Sequence, residues 1–173
     1  YDPAWFDTGL PTLGLCYGHQ LLAKHLGGEV ASAGHQEYGI AQLHVERAEG
    51  VLRGLGPTEQ VWMSHGDSVT RTPDGFEAIG STQDCPIAAM GDAKRNIYGV
   101  QFHPEVTHTP NGMSMLDNFL AMCSSERTWT MDRFIEDSEA RIRDHVGNRN
   151  VFLLVSGGVD STVAFALLTR ALG

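Results

Sequence analysis

The chain has 173 residues, 12 Lys+Arg against 21 Asp+Glu and a formal net charge of −9, with 42% hydrophobic and 19% charged residues. That is globular composition with enough chain for a sizeable core, not disorder. The acidic balance gives no basic field for a phosphate backbone, which excludes a sequence-independent nucleic-acid binder. The longest wholly apolar run, Val151 to Val155, is far short of the ~20 residues a membrane span needs.

Cys16, Cys85 and Cys123 are widely and irregularly spaced, which is neither a disulfide framework nor a zinc pattern. With no basic n-region and apolar h-region at the start, the expected location is a reducing cytoplasm. Both ends, Tyr1 and Gly173, read as cuts, so the chain is expected to be a fragment.

In chain order, Pro11 to Leu15 reads as a short buried strand. A helix follows over Tyr17 to Leu26, with Leu21, Leu22, His25 and Leu26 on one face and Gly27-Gly28 stopping it. Short extended segments are expected at about 29–33, 38–46, 59–63, 76–82, 86–91 and 96–102, and a helix at 113–123. A polar stretch from Cys123 to Arg127 marks a boundary near 124–129. Beyond it, 130–146 reads as a helix with i,i+4 pairs Asp137/Arg141 and Glu139/Arg143. A fully buried strand, Val151 to Val155, then leads through a Gly-rich turn into a helix from about 160. Strand–turn–helix units at both ends indicate α/β architecture.

Two constellations carry chemistry. Gly14-Leu15-Cys16-Tyr17-Gly18 has the form of a nucleophile elbow between a strand and a helix. Its glycines suit a turn too tight for neighbouring Cβ atoms, and the helix N-terminus is expected to lower the thiol pKa. The Tyr17 amide is placed to face an oxyanion. Further on, Gly99 to Phe102 reads as a strand ending in His103-Pro104-Glu105. Pro104 keeps His103 extended, and residues i and i+2 then share a side. Glu105 therefore reaches His103, which can act as base on Cys16 and then as acid to a leaving amine. In the second constellation Ser156-Gly157-Gly158-Val159-Asp160-Ser161-Thr162 joins the last strand to the last helix. Glycines and a helix N-terminus suit an anion, but no Walker A lysine is present. Asp160 suits a helix cap or a Mg²⁺ ligand.

The elbow with His19-Gln20 and the Gly99–Glu105 segment resemble the class I (triad) glutamine amidotransferases. The resemblance implies a flavodoxin-like open sheet and a triad of Cys16, His103 and Glu105. It also implies that Gln20, and less directly His65 within His65-Gly66-Asp67, binds the substrate glutamine. The Ser156–Thr162 string resembles the pyrophosphate loop of the ATP pyrophosphatases, whose domains are adenine nucleotide alpha hydrolase-like. Together they resemble the family of glutamine-hydrolysing GMP synthases, also through Glu37-Tyr38-Gly39 and Trp62 to Asp67. His19 stands where that family more often has Met, and Gln36 where a basic residue precedes Glu-Tyr-Gly.

That resemblance implies residues 1–123 as the C-terminal part of an amidotransferase domain, 124–150 as linker and helix, and 151–173 as the start of an ATP pyrophosphatase domain. Glutamine, XMP and ATP are the implied substrates and Mg²⁺ the implied ion. A homodimer is implied through a region after Gly173. A second reading, an amidotransferase of carbamoyl phosphate or CTP synthesis type, suits His19 but not the Ser156 loop. A third is a folded piece with no turnover, because the family's sheet and half its oxyanion hole begin before Tyr1. The remaining histidines, His25, His35, His44, His108 and His145, lack ligand spacing, and Trp5, Trp62 and Trp129 suit packing.

Overall fold

The computed structural model describes residues 2–126 and 128–173; Tyr1, Arg127 and the side chains of Pro3, Asp7, Ala33, Gly34 and His35 lie outside the described residues, and with them the expectation for His35. The chain divides into two compact units, Tyr1–Ser125 and Glu126–Gly173. Among the described residues no helix is long and apolar enough to cross a membrane.

The first unit is built on a six-stranded sheet in the order β1-β6-β5-β4-β2-β3. Its strands are β1 (Thr12–Leu15), β2 (Glu29–Val45), β3 (Thr58–Arg71), β4 (Glu77–Ser81), β5 (Ala89–Asp92) and β6 (Ile97–Val100). β1 and β6 run parallel, and every other pairing is antiparallel. Helix α1 (Tyr17–His25) follows β1, and α2 (Gly112–Met122) follows β6. The segments expected separately at 29–33 and 38–46 are one strand, irregular between Ser32 and Glu37, and β3 runs to Arg71 instead of 63. Long-range pairing between these two strands carries β3 beyond the expected 59–63, through Ser68 opposite Ala31 to Arg71 opposite Glu29.

Alternation along the strands sorts the core into two faces. Tyr98, Val100 and Phe102 join Leu43, Leu52, Val61, Met63, Ile79 and Met115 of α2. Ile97 and Met90 join Leu22 and Ala23 of α1 with Val69 and Phe76. Consecutive residues of one strand thus feed opposite cores, giving a sheet covered on both sides. The buried face of α1 is His19, Leu22 and Ala23, turned from the expected Leu21/Leu22/His25/Leu26 stripe.

The second unit holds α3 (Met131–Val146) and α4 (Val159–Leu172). The Thr130 side chain accepts from the Arg133 amide at the start of α3, and Gly147, at φ 55°, ends it. Glu139 ties the two helices, meeting Arg143 at 2.9 Å and Arg170 at 2.7 Å. Val151 to Val155, expected as a buried strand, is unpaired and exposed, with Phe152 at 85% and Leu154 at 79%. A parallel strand takes its hydrogen bonds from neighbouring strands, and this unit has none among its described residues.

Candidate active site

β1 ends at Leu15, beside Val100 of β6, and the Cys16 amide continues the ladder by donating to the Val100 carbonyl at 2.9 Å. The chain then turns into α1 with Cys16 at φ 50° and ψ −104°. A non-glycine residue in that region costs about 1–3 kcal/mol and persists only where its surroundings hold it. Here they do. Gly14 lies directly across from Gly99 in the β1–β6 register. A Cβ on Gly14 would stand 2.5 Å from the Gly18 carbonyl oxygen, and one on Gly99 would stand 2.6 Å from the His19 ring. This glycine pair lets α1 settle on the sheet and carries Cys16 with it. Gly18 differs from the sequence expectation, because a Cβ there meets nothing within 4 Å; its backbone, not its missing side chain, fills the tight turn.

The Cys16 thiol donates to the Ser64 carbonyl at 3.6 Å, and the Gln101 side-chain amide donates to the sulfur at 3.8 Å. Its pKa is raised, not lowered as the helix-terminus argument expects. Burial is the largest cause; the Tyr17 amide and Gln101 oppose it, and the Glu105 charge adds to it. Desolvation outweighs two donors, so the resting sulfur keeps its proton and needs a base. The Tyr17 amide donates toward the sulfur.

The candidate base is His103. Its Nδ1 lies 2.7 Å from Glu105 Oε1, the i,i+2 reach expected from the sequence. The His103 backbone is fastened to β3: its amide donates to the Trp62 carbonyl at 3.0 Å. Buried Thr109 donates to the His103 carbonyl at 2.7 Å and accepts from the Trp62 amide at 3.1 Å. Gly112 closes the loop from the other side, where a Cβ would stand 1.9 Å from the Pro104 carbonyl oxygen. Cys16 and His103 follow the ends of adjacent parallel strands. Among the described residues no hydrogen bond joins thiol and imidazole, and such bonds commonly tighten only around substrate.

Gln20 projects from α1 beside the elbow and donates to the Asp67 carbonyl at 2.7 Å and to Gln101 Oε1 at 3.0 Å. Tyr17, Gln20, Leu21, Lys24, Val30 and Asp67 line a cleft of about 200 Å³ next to the nucleophile. The larger concavity of about 660 Å³ between α3 and α4 contains no such constellation. His65, expected to bind glutamine, lies behind the segment that faces the elbow. It is buried, 3.3 Å from Glu37 Oε2 and 3.0 Å from the Asp67 carbonyl. Neighbouring residues of a strand face opposite ways, so the part of this segment that reaches Cys16 is the Ser64 carbonyl. Gln101 is the site residue that sequence reasoning passed over. Its signal is parity: just past β6, it lies two residues after Gly99, which packs against His19 of α1, and two before His103.

His19 is fully buried, with Nε2 2.9 Å from the Ile87 carbonyl. Burial is the main reason its pKa falls to about 4, with hydrogen bonds to Ile87 and Gly99 opposing and His65 adding to it. The unfolded chain binds this proton below about 6.5 and the folded chain only below about 4, so stability falls as pH drops across that window. The expected loss is about 3 kcal/mol. Denaturant titrations at pH 7 and pH 4 check it, because His19→Met removes that share of the loss.

Glu37, His65 and Cys85 form a second group whose ligand atoms lie within 4.8 Å of one another. Glu37 already pairs with His65 and with Thr82 at 2.9 Å. Burial pushes the Cys85 thiol up to about 11. These residues brace β2 against β3 and are distinct from Cys16, His103 and Glu105.

In the second unit Gly157 sits at φ +84°; a Cβ added there would meet nothing within 4 Å, and one on Gly158 would lie 3.6 Å from the Ser156 hydroxyl. The Ser161 and Thr162 hydroxyls donate to the Gly158 carbonyl at 3.0 and 2.9 Å. Gly158, not Asp160, is the N-cap of α4; Asp160 lies in its first turn.

A family model described as glutamine amidotransferase class-I matches residues 2–123. The chain belongs to this family. It is 50% identical over 169 residues to a glutamine-hydrolyzing GMP synthase of Vibrio vulnificus, covering 97% of this chain and 33% of that protein. It is 50% identical over 176 residues to one of Neisseria meningitidis, covering 99% and 34%. The chain thus spans about a third of the length of these curated relatives. Among solved structures, a GMP synthase subunit from Thermoplasma acidophilum is 35% identical with a TM-score of 0.67, covering 76% of this chain and 63% of that one. A glutamine amidotransferase of Thermotoga maritima shares the fold at 20% identity and a TM-score of 0.54, covering 96% and 56%. The class I amidotransferase fold expected from the elbow and the His-Pro-Glu segment is therefore that of the first unit.

Proposed function

We propose that the chain hydrolyses the side-chain amide of glutamine at Cys16, His103 and Glu105, and that it serves a GMP synthase. The observation that carries this reading is the His103–Glu105 pair at 2.7 Å, just past the end of β6, the strand beside β1 and its Cys16 elbow. With Nδ1 held by Glu105, Nε2 of His103 takes the thiol proton. The sulfur attacks the carboxamide carbon, and the Tyr17 amide stabilises the oxyanion. The C–N bond breaks as His103 returns the proton, releasing ammonia and leaving a glutamyl thioester on Cys16. Water then adds, giving its proton to His103; the C–S bond breaks, glutamate leaves and the thiol regains its proton.

The second half of the proposal concerns the fate of ammonia. The Ser156–Thr162 loop suits ATP as a substrate, with Mg²⁺ held by Asp160, and the 50% identity to GMP synthases supports XMP as the acceptor. ATP would activate XMP and release pyrophosphate, and ammonia would displace AMP to give GMP. A synthase containing this chain is expected to aminate XMP with either glutamine or ammonium salt, read by GMP formation. Glutamine hydrolysis without XMP amination from either source would keep the first half and remove the second.

A further inference from the structure

The geometry points to Gln101 as the residue that directs a hydrogen-bond donor at the Cys16 sulfur, its orientation set by a polarity chain that starts at the Asp67 backbone. This deepens the proposed glutaminase reading and rests on Cys16 as its nucleophile.

A side-chain amide has one accepting and one donating end, and the two are nearly isosteric. The Asp67 carbonyl can only accept, so Gln20, 2.7 Å away, must present its NH₂ group there. The same nitrogen lies 3.0 Å from Gln101, which must then offer its oxygen. Gln101 has its NH₂ left for the sulfur, 3.8 Å away. A backbone atom that cannot flip thus fixes two side chains that could. Gln101 is fully buried and its own amide is tied to the Ala88 carbonyl at 2.8 Å, so the side chain has a firm base. The anchor is braced as well, because His65 Nδ1 lies 3.0 Å from the same Asp67 carbonyl.

The chemistry follows from the sulfur's surroundings. The Ser64 carbonyl accepts from the thiol and favours the protonated form. Gln101 offers a donor, which favours the thiolate. As the proton leaves for His103, the first contact is lost and the second strengthens. Gln101 thereby stabilises the attacking anion and later the sulfur as it leaves the thioester. Gln20 acts through Gln101 as a positioning residue, and its own oxygen remains available to a ligand in the cleft.

The test is the pH profile of Cys16 alkylation by iodoacetamide in the whole chain, with modified peptides separated by mass spectrometry so that Cys85 and Cys123 do not contribute. Gln101→Met keeps the volume and removes the donor. It is expected to raise the apparent thiol pKa by about one unit, a roughly tenfold loss of alkylation below the pKa. Gln101→Glu keeps an acceptor for Gln20 but places a carboxylate at the sulfur, and is expected to raise the pKa further. That ordering is one a purely structural role would not produce. Gln20→Met, at a half-buried position, releases the orientation of Gln101, with a smaller rise expected. It carries the test if circular dichroism shows either Gln101 variant unfolded. Profiles that superimpose on the parent, or shift down, overturn the proposal. Alkylation needs no glutamine, so a chain that fails to hydrolyse glutamine yet shows these shifts refutes the function and keeps Gln101. A glutaminase with unmoved profiles does the reverse.

Discussion

Cys16→Ala is expected to lower glutamine hydrolysis by about 10⁶-fold, the scale seen when a covalent nucleophile is removed. The Tyr17 amide and the His103–Glu105 pair survive the substitution but have no sulfur to serve. The fold should barely respond. Alanine keeps the Cβ that already tolerates φ 50° at this turn, and the ladder bond from residue 16 to Val100 belongs to the backbone. The thiol's contacts to Ser64, Gln101 and the Tyr17 amide are lost, so a stability change within about 1 kcal/mol is expected. Steady-state glutaminase assays beside thermal melts check both parts. A large activity loss with an unchanged melt is the expected pattern.

Gly112→Ala tests the loop that carries the base and has the next largest expected effect. A Cβ at this position would stand 1.9 Å from the Pro104 oxygen, 2.7 Å from its carbonyl carbon and 3.0 Å from its Cα. All three are backbone or ring-constrained atoms, so no side chain can swing aside. Either α2 retreats or the Pro104 peptide moves, and Pro104 lies between His103 and Glu105. A displacement near 1 Å is enough to cost about 10²-fold in rate, and the overpacking about 1–3 kcal/mol in stability. Helix propensity alone pushes the other way, since Ala is favoured over Gly by about 1 kcal/mol within a helix. A loss therefore reports the clash. Met113→Ala, at a position 68% exposed on the same helix, should leave both rate and melt unchanged.

The parts of the site legible in the sequence are those set by local geometry. A nucleophile between a strand and a helix and a His-Pro-Glu string each fix their side chains within a few residues, and the structure forms the elbow and the 2.7 Å His103–Glu105 contact. Parts that depend on remote chain were not legible. The sulfur's contacts lie 48 and 85 positions away, at Ser64 and Gln101. The roles of Gly99 and Gly112 are defined by His19 and Pro104, which no local pattern connects to them. His65 sat in the right segment, but its ring faces Glu37. Val151 to Val155 has the composition of a buried strand, yet composition supplies no partner to pair with. In β2 and β3 the reverse holds: mutual pairing joins the segments expected at 29–33 and 38–46 and extends β3 past residue 63.

The most direct measurement is to mix the chain with radiolabelled glutamine, quench in acid and map the covalent label by peptide. Label on the Cys16 peptide, lost in Cys16→Ala and discharged as glutamate on neutralisation, is the expected result. Glutamine turnover with no acyl label on Cys16, or label on Cys85 or Cys123 instead, would contradict the assignment of Cys16 as the nucleophile.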